Sequence, residues 1–151
     1  MDKDLSRVVI ARSSGLRFFG GFSSSYAVAK DGLQQVAGVL TGEEIYQIIT
    51  SFNEAIQTYW PCTIVYCIGL CCPCCPIMCV AKAEEAGMAM LHQISLREKY
   101  YDRQVCFHLV KPTWFSSQIV VSLPTKLLTS TRNIPISSSM VVLLTESRKT
   151  E

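Results

Sequence analysis

An uncharged run over residues 55–81 constrains this chain more than any other feature, and within it residues 60–80 read WPCTIVYCIGLCCPCCPIMCV. Seven of the eight cysteines fall there. As one straight helix the 27 uncharged residues would span about 40 Å, enough to cross a bilayer. Pro61, Pro73 and Pro76 oppose a simple span, because a proline inside a helix removes a backbone donor and clashes with the carbonyl four residues back. The proline-free part from Cys62 to Cys72 would make only about 16 Å of helix against a hydrocarbon core of about 30 Å. The spacing therefore predicts a kinked or re-entrant apolar segment over residues 60–80, lying in one leaflet with its thiols near headgroup level.

What surrounds that segment sets the class. At 151 residues the chain suits one domain. An apolar content of 49% against 17% charged excludes a disordered chain. A net charge of +2 favours no nucleic-acid partner. The start, MDKDLSR, holds no apolar stretch of the kind a secretory signal needs, so the bulk of the chain is expected in the cytosol. In that reducing compartment the cysteines are expected as free thiols.

Ahead of the cysteines, residues 7–12 and 16–22 read as β-rich runs, with Ser13-Ser14-Gly15 as the turn of a hairpin. Residues 27–39 show no clean periodicity and read as irregular or briefly helical. Thr41 and Glu44 then form a capping box, with Leu40 and Ile45 placed as a hydrophobic staple. Ile45, Ile48, Ile49, Phe52 and Ile56 follow at helical spacing to about Gln57.

Beyond the cysteines, residues 82–100 read as a second amphipathic helix with Ala83, Gly87, Met90, Leu91 and Ile94 on one stripe. Gly87 costs about 1 kcal/mol relative to alanine there, which suits a close backbone approach. The period then changes to two. Val105, Phe107 and Leu109 alternate with Cys106, His108 and Val110 until Pro112, and residues 119–123 read as the antiparallel mate. The expected fold is α+β: a small antiparallel sheet of N-terminal and C-terminal hairpins enclosing three helical segments, the middle one being the apolar cysteine-rich segment. The domain is expected over residues 1–124, with a Ser/Thr-rich tail over 125–151 that includes the apolar run 140–144. Four strands offer limited area to cover two helical stripes, so Ile48, Phe52 and Ile56 are expected to reach a protein partner.

Thiols beside an apolar segment at a membrane surface are where S-acylation occurs. One chain of myristoyl length binds only marginally, whereas two signals anchor stably. At least two of Cys67, Cys71, Cys72, Cys74, Cys75 and Cys79 are expected to carry palmitate, with membrane lipid as a partner and no other cofactor. The alternative is a small zinc-stabilised protein, with Cys71 and Cys74, or Cys72 and Cys75, joined to Cys106 and His108 in a tetrahedron. Catalysis is not expected, since only His92 and His108 could serve a cysteine nucleophile as base. Tyr59, Trp60, Tyr100 and Tyr101 suit an interfacial belt or core packing.

Val8-Val9-Ile10, Ser14-Gly15, Phe19-Gly20, Asn53 near a helix end, the cysteine run, Cys106-Phe107-His108 and a last strand over 118–124 stand in an order of their own. In that order the chain resembles the cysteine-rich hydrophobic domain proteins, a branch of the wider family of Golgin subfamily A member seven and the accessory subunit of the yeast Ras palmitoyltransferase. The resemblance implies a peripheral protein on the cytosolic face of Golgi, vesicle or plasma membranes, held by acylated cysteines. For some members it also implies a non-catalytic role beside a DHHC-type palmitoyltransferase as protein partner, so the resemblance leaves two roles for this chain, accessory subunit of such an enzyme or membrane-trafficking adaptor. Where that branch is strongly basic after the cysteines, this chain reads AKAEEAG.

Overall fold

Two hairpins, one from each end of the domain, build the sheet, and the helices between them build the cover. A computed structural model describes residues 5–18, 20–60 and 74–125, with the side chains of residues 74–76 outside that description. The elements are β1 (Leu5–Arg17), β2 (Ser23–Val28), α1 (Lys30–Val36), α2 (Gly42–Gln57), α3 (Cys74–Ser95), α4 (Glu98–Tyr101), β3 (Cys106–Thr113) and β4 (Ser116–Pro124). The fold is α+β, with four antiparallel strands in the order β2-β1-β4-β3 and four helices among the described residues. Pairing of β1 with β4, through Val8 to Val121 and Ala11 to Ile119, makes one sheet of the two hairpins.

Two local expectations change. Ser13-Ser14-Gly15 is not a turn: Ser13 and Ser14 pair with Tyr26 and Ser25, and the Ser14 carbonyl accepts from the hydroxyls of Ser23 and Ser25. Gly15, at φ +79°, absorbs a bulge instead. The reversal comes at Phe18 to Phe22, closed by Phe18 N donating to Phe22 O at 2.9 Å, with Gly20 and Gly21 at positive φ. The stretch without periodicity holds the last residues of β2 and the seven-residue α1, which is too short to display a period. Gly32 lets α1 lie on β1, since a Cβ there would sit 1.8 Å from the Val9 carbonyl oxygen.

The capping box is present as read: Glu44 N donates to Thr41 Oγ1 at 3.2 Å, and Thr41 N donates back to the Glu44 carboxylate at 2.7 Å. Glu44 also pairs with Lys99, which fixes α4 beside the start of α2. The helix read from residue 82 begins earlier, at Cys74, and ends at Ser95, with α4 separate. Pro76 fits because it stands in the first turn, where backbone donors have no intrahelical acceptor. The tail over 126–151, including 140–144, lies outside the described residues.

Helices α2 and α3 run antiparallel. The core between them and the sheet holds Ile45, Ile48, Ile49, Phe52 and Ile56 from α2, Val80, Ala83, Leu91 and Ile94 from α3, and Phe107, Ile119, Val121 and Leu123 from the strands. Both sheet edges are closed by side chains. On β2, Asn53 accepts from Tyr26 N at 2.8 Å and donates to Tyr26 O at 3.0 Å. On β3, Phe107 N donates to Ser95 Oγ at 3.0 Å, and Lys111 and Pro112 occupy the rest of the edge. Pro112 lies within β3 and does not end it, as an edge strand permits.

Candidate functional site

The stripe expected to meet a partner is internal. Phe52 and Ile56 are wholly buried and Ile48 nearly so. The cause is Gly87: a Cβ there would stand 2.7 Å from the Phe52 ring and 3.0 Å from Ile56, so α3 descends onto these side chains where it has none of its own. The sheet and α3 together cover α2, and no docking face remains on that stripe. On its outer side α2 borders an open groove of about 300 Å³ of mixed polar and apolar lining, including Glu44, Tyr46, Gln47, Thr50, Ile94 and Arg97.

An aromatic row runs through the core from the end of α2. Trp60 stands 6.1 Å from Phe22, Phe22 5.9 Å from Tyr26, and Tyr26 meets Phe52 edge-on at 5.0 Å. The Tyr26 hydroxyl lies 2.6 Å from Ser117 Oγ, which donates to the Gly21 carbonyl at 2.6 Å. Burial pushes the Tyr26 hydroxyl up to about 12, with the Ser117 hydrogen bond pulling the other way. This network pins the β1–β2 reversal to the start of β4. Trp60 is thus tied to the domain, and Tyr100 is buried edge-on against Phe107 near the opposite end of α2, beside Lys99 and Glu44. Tyr59, Trp60, Tyr100 and Tyr101 therefore do not form one belt.

Among the expected acylation sites, Cys67, Cys71 and Cys72 lie outside the described residues, and Cys74 and Cys75 begin α3. Cys79 is partly exposed on α3 with a free thiol. The segment read as 60–80 is shortened at its end, because Val80 is 5% exposed and belongs to the core. Among the described residues no helix is long and apolar enough to cross a membrane.

Among the described residues the zinc set is not brought together; Cys71 and Cys72 lie outside them. Cys74 and Cys75 start α3, whereas Cys106 and His108 stand beside its end, about 30 Å away at 1.5 Å per residue. They also point away from α3, being exposed where Phe107 is buried.

One end of the molecule collects large apolar side chains that the sequence pattern did not single out. Two contacts give the direction of α3 along β3: Ser95 at Phe107, and Glu84 with Lys111 at 2.5 Å. Going on from Glu84 to Ile77, and from Lys111 to Trp114, each advances about 10 Å the same way. Ile77 and Met78 are exposed, as are Leu16 and Tyr59, while Trp114 and Phe115 are 76% and 64% exposed. Gly21 binds this end together, since a Cβ on it would lie 2.8 Å from Ser116 O and 2.9 Å from Thr113 O. Trp60 reaches the same end through Phe22, and the start of α3 reaches it through Ile77. The signal available in sequence was the Trp-Phe pair itself, at a reversal where Gly, Asn or Asp is usual. Comparison with protein-family models, with curated proteins and with solved structures finds no match to this chain.

Proposed function

We propose that the chain is a peripheral membrane adaptor, held on the cytosolic face of Golgi, vesicle or plasma membranes by palmitate on cysteines among Cys67, Cys71, Cys72, Cys74, Cys75 and Cys79. Support comes from the path of the chain. Trp60 and Cys74 flank the 13 residues 61–73, belong to one folded unit and lie at its apolar end. A single crossing would put the two flanks on opposite sides of the bilayer, which a shared core forbids. Crossing and returning takes about 20 residues each way as helix. The shared fold of the two flanks supports contact with one leaflet or its surface, where an acyl donor would meet the thiols.

Several acylated thiols anchor the chain without a basic patch, since two signals suffice. The resemblance to accessory subunits of the DHHC-type palmitoyltransferases supports the role of a non-catalytic subunit. Acyl exchange with hydroxylamine followed by mass tagging tests this. At least two hydroxylamine-sensitive tags are expected, lost when the six cysteines become serine, with a DHHC-type enzyme co-purifying from gently solubilised membranes. An untagged protein would end the acylated-adaptor proposal, and tags without a co-purifying transferase would end the subunit role alone.

A further inference from the structure

Resting on the membrane reading above, we propose that the β3–β4 reversal is a second, non-covalent anchor, with Trp114 and Phe115 inserting into the headgroup and acyl boundary of a phospholipid bilayer. The turn is built without these two rings. Thr113 Oγ1 and Ser116 Oγ lie 2.7 Å apart, Phe115 N approaches Thr113 Oγ1 at 3.4 Å, and Gly21 seats the backbone from below. Thr113 pairs with Ser116, so the loop has two residues, and neither has positive φ. Two-residue hairpin loops favour Asn-Gly or Asp-Gly, whose positive φ matches the strand twist. The sequence forgoes that geometry and places two large aromatics where the fold needs none.

Several features identify lipid as the occupant. The rings project from a convex tip, a shape that enters a soft interface, and the indole pairs an apolar body with an N–H donor suited to headgroup depth. Leu16, Tyr59, Ile77, Met78, Trp114 and Phe115 are exposed at the same end, and Arg17, also exposed at the end of β1, brings a cation to them. That end is also where the chain passes into and out of the cysteine segment, so an acyl chain on Cys74 or its neighbours and the hairpin tip meet the same bilayer surface. The opposite end, by the start of α2 and α4, carries charges of both signs, Glu43, Glu98 and Asp102 beside Arg97, Lys99 and Arg103, together with exposed Leu96 and Tyr101, so the cysteine segment and the two tip aromatics rather than charge set the proposed orientation.

The test uses the full chain in unacylated form with phosphatidylcholine vesicles, with and without phosphatidylserine, some carrying dibrominated acyl chains. Trp114→Ser with Phe115→Ser is expected to lower partitioning at least about tenfold, from the apolar area of two rings withdrawn from lipid. Adding phosphatidylserine is expected to change partitioning of the unmutated chain only about fivefold, since among the described residues Arg17 is the cation nearest the tip and the next, Lys111, is paired with Glu84. Bromine quenching of indole fluorescence is expected to shrink in Trp114→Phe, which keeps an apolar ring but leaves Trp60 as reporter. Unchanged partitioning in the double variant, or quenching indifferent to Trp114→Phe, overturns the proposal. Hydroxylamine-sensitive tags together with an indifferent tip would sink the hairpin anchor and leave acylation standing. Tip-dependent binding without tags would do the reverse.

Discussion

The molecule holds two groups of aromatic side chains with opposite surroundings. In the row Trp60, Phe22, Tyr26 and Phe52 each ring meets another, and the one hydroxyl among them has Ser117 as partner. At the β3–β4 tip, Trp114 and Phe115 stand mostly in solvent over a backbone that hydroxyls and Gly21 hold in place. The first group is part of what makes the chain fold. The second depends on the fold and contributes little back, which is the pattern of a surface kept for contact.

Phe52→Glu breaks the inner row most severely. It buries an unpaired carboxylate beneath Gly87, and a loss of about 3–5 kcal/mol is expected, a large share of the roughly 5–15 kcal/mol that holds a domain folded. Urea denaturation followed by near-ultraviolet circular dichroism should show the transition midpoint at a much lower urea concentration than in the unmutated chain. A soluble variant with an unshifted midpoint that merely loses a protein partner would restore the exposed stripe that the sequence suggested.

Alkaline titration is a milder probe of the same row. The Tyr26 hydroxyl is raised from 10.0 to about 12 by burial, so the folded state holds its proton where the unfolded state releases it. Its contribution is complete below pH 10 and fades as pH rises toward 12, with a loss of about 2 kcal/mol. Unfolding free energies from pH 9 to 12 should fall along that slope, and Tyr26→Phe should flatten it. An identical slope in the variant would assign the loss to other groups.

The smallest effect is expected at the tip. Trp114→Ser with Phe115→Ser should shift unfolding free energy by no more than about 0.5 kcal/mol, as for exposed substitutions generally. Thermal denaturation checks this on the same protein used for vesicles. A large loss would mean that the rings hold the hairpin, and the contrast between the two groups would collapse.

Parts of this arrangement were legible in the sequence because their signals are local. The Thr41–Glu44 box, the α2 stripe, the Gly87 approach and the alternation around Phe107 depend on residues a few positions apart. What was misread depends on distant partners. Ser13-Ser14-Gly15 has turn composition, yet β2 pairing and the hydroxyls of Ser23 and Ser25 keep it in the strand. Ile48, Phe52 and Ile56 were assigned outward because the covering surface was counted from the sheet alone, without α3 descending over Gly87. The apolar end was invisible for the same reason: Leu16, Ile77 and Trp114 are far apart in sequence and share an end only once the register and the direction of α3 are known.

Asn53 carries a consequence for the proposed membrane anchoring. A chain confined to a thin layer over a bilayer meets its own copies far more often than one free in three dimensions, and any unpaired strand edge then becomes a template for stacking. The Asn53 amide occupies both backbone groups of Tyr26 on one edge, while Ser95, Lys111 and Pro112 blunt the other. The sheet is terminated at both sides by its own side chains, so copies can crowd together without zipping into a filament.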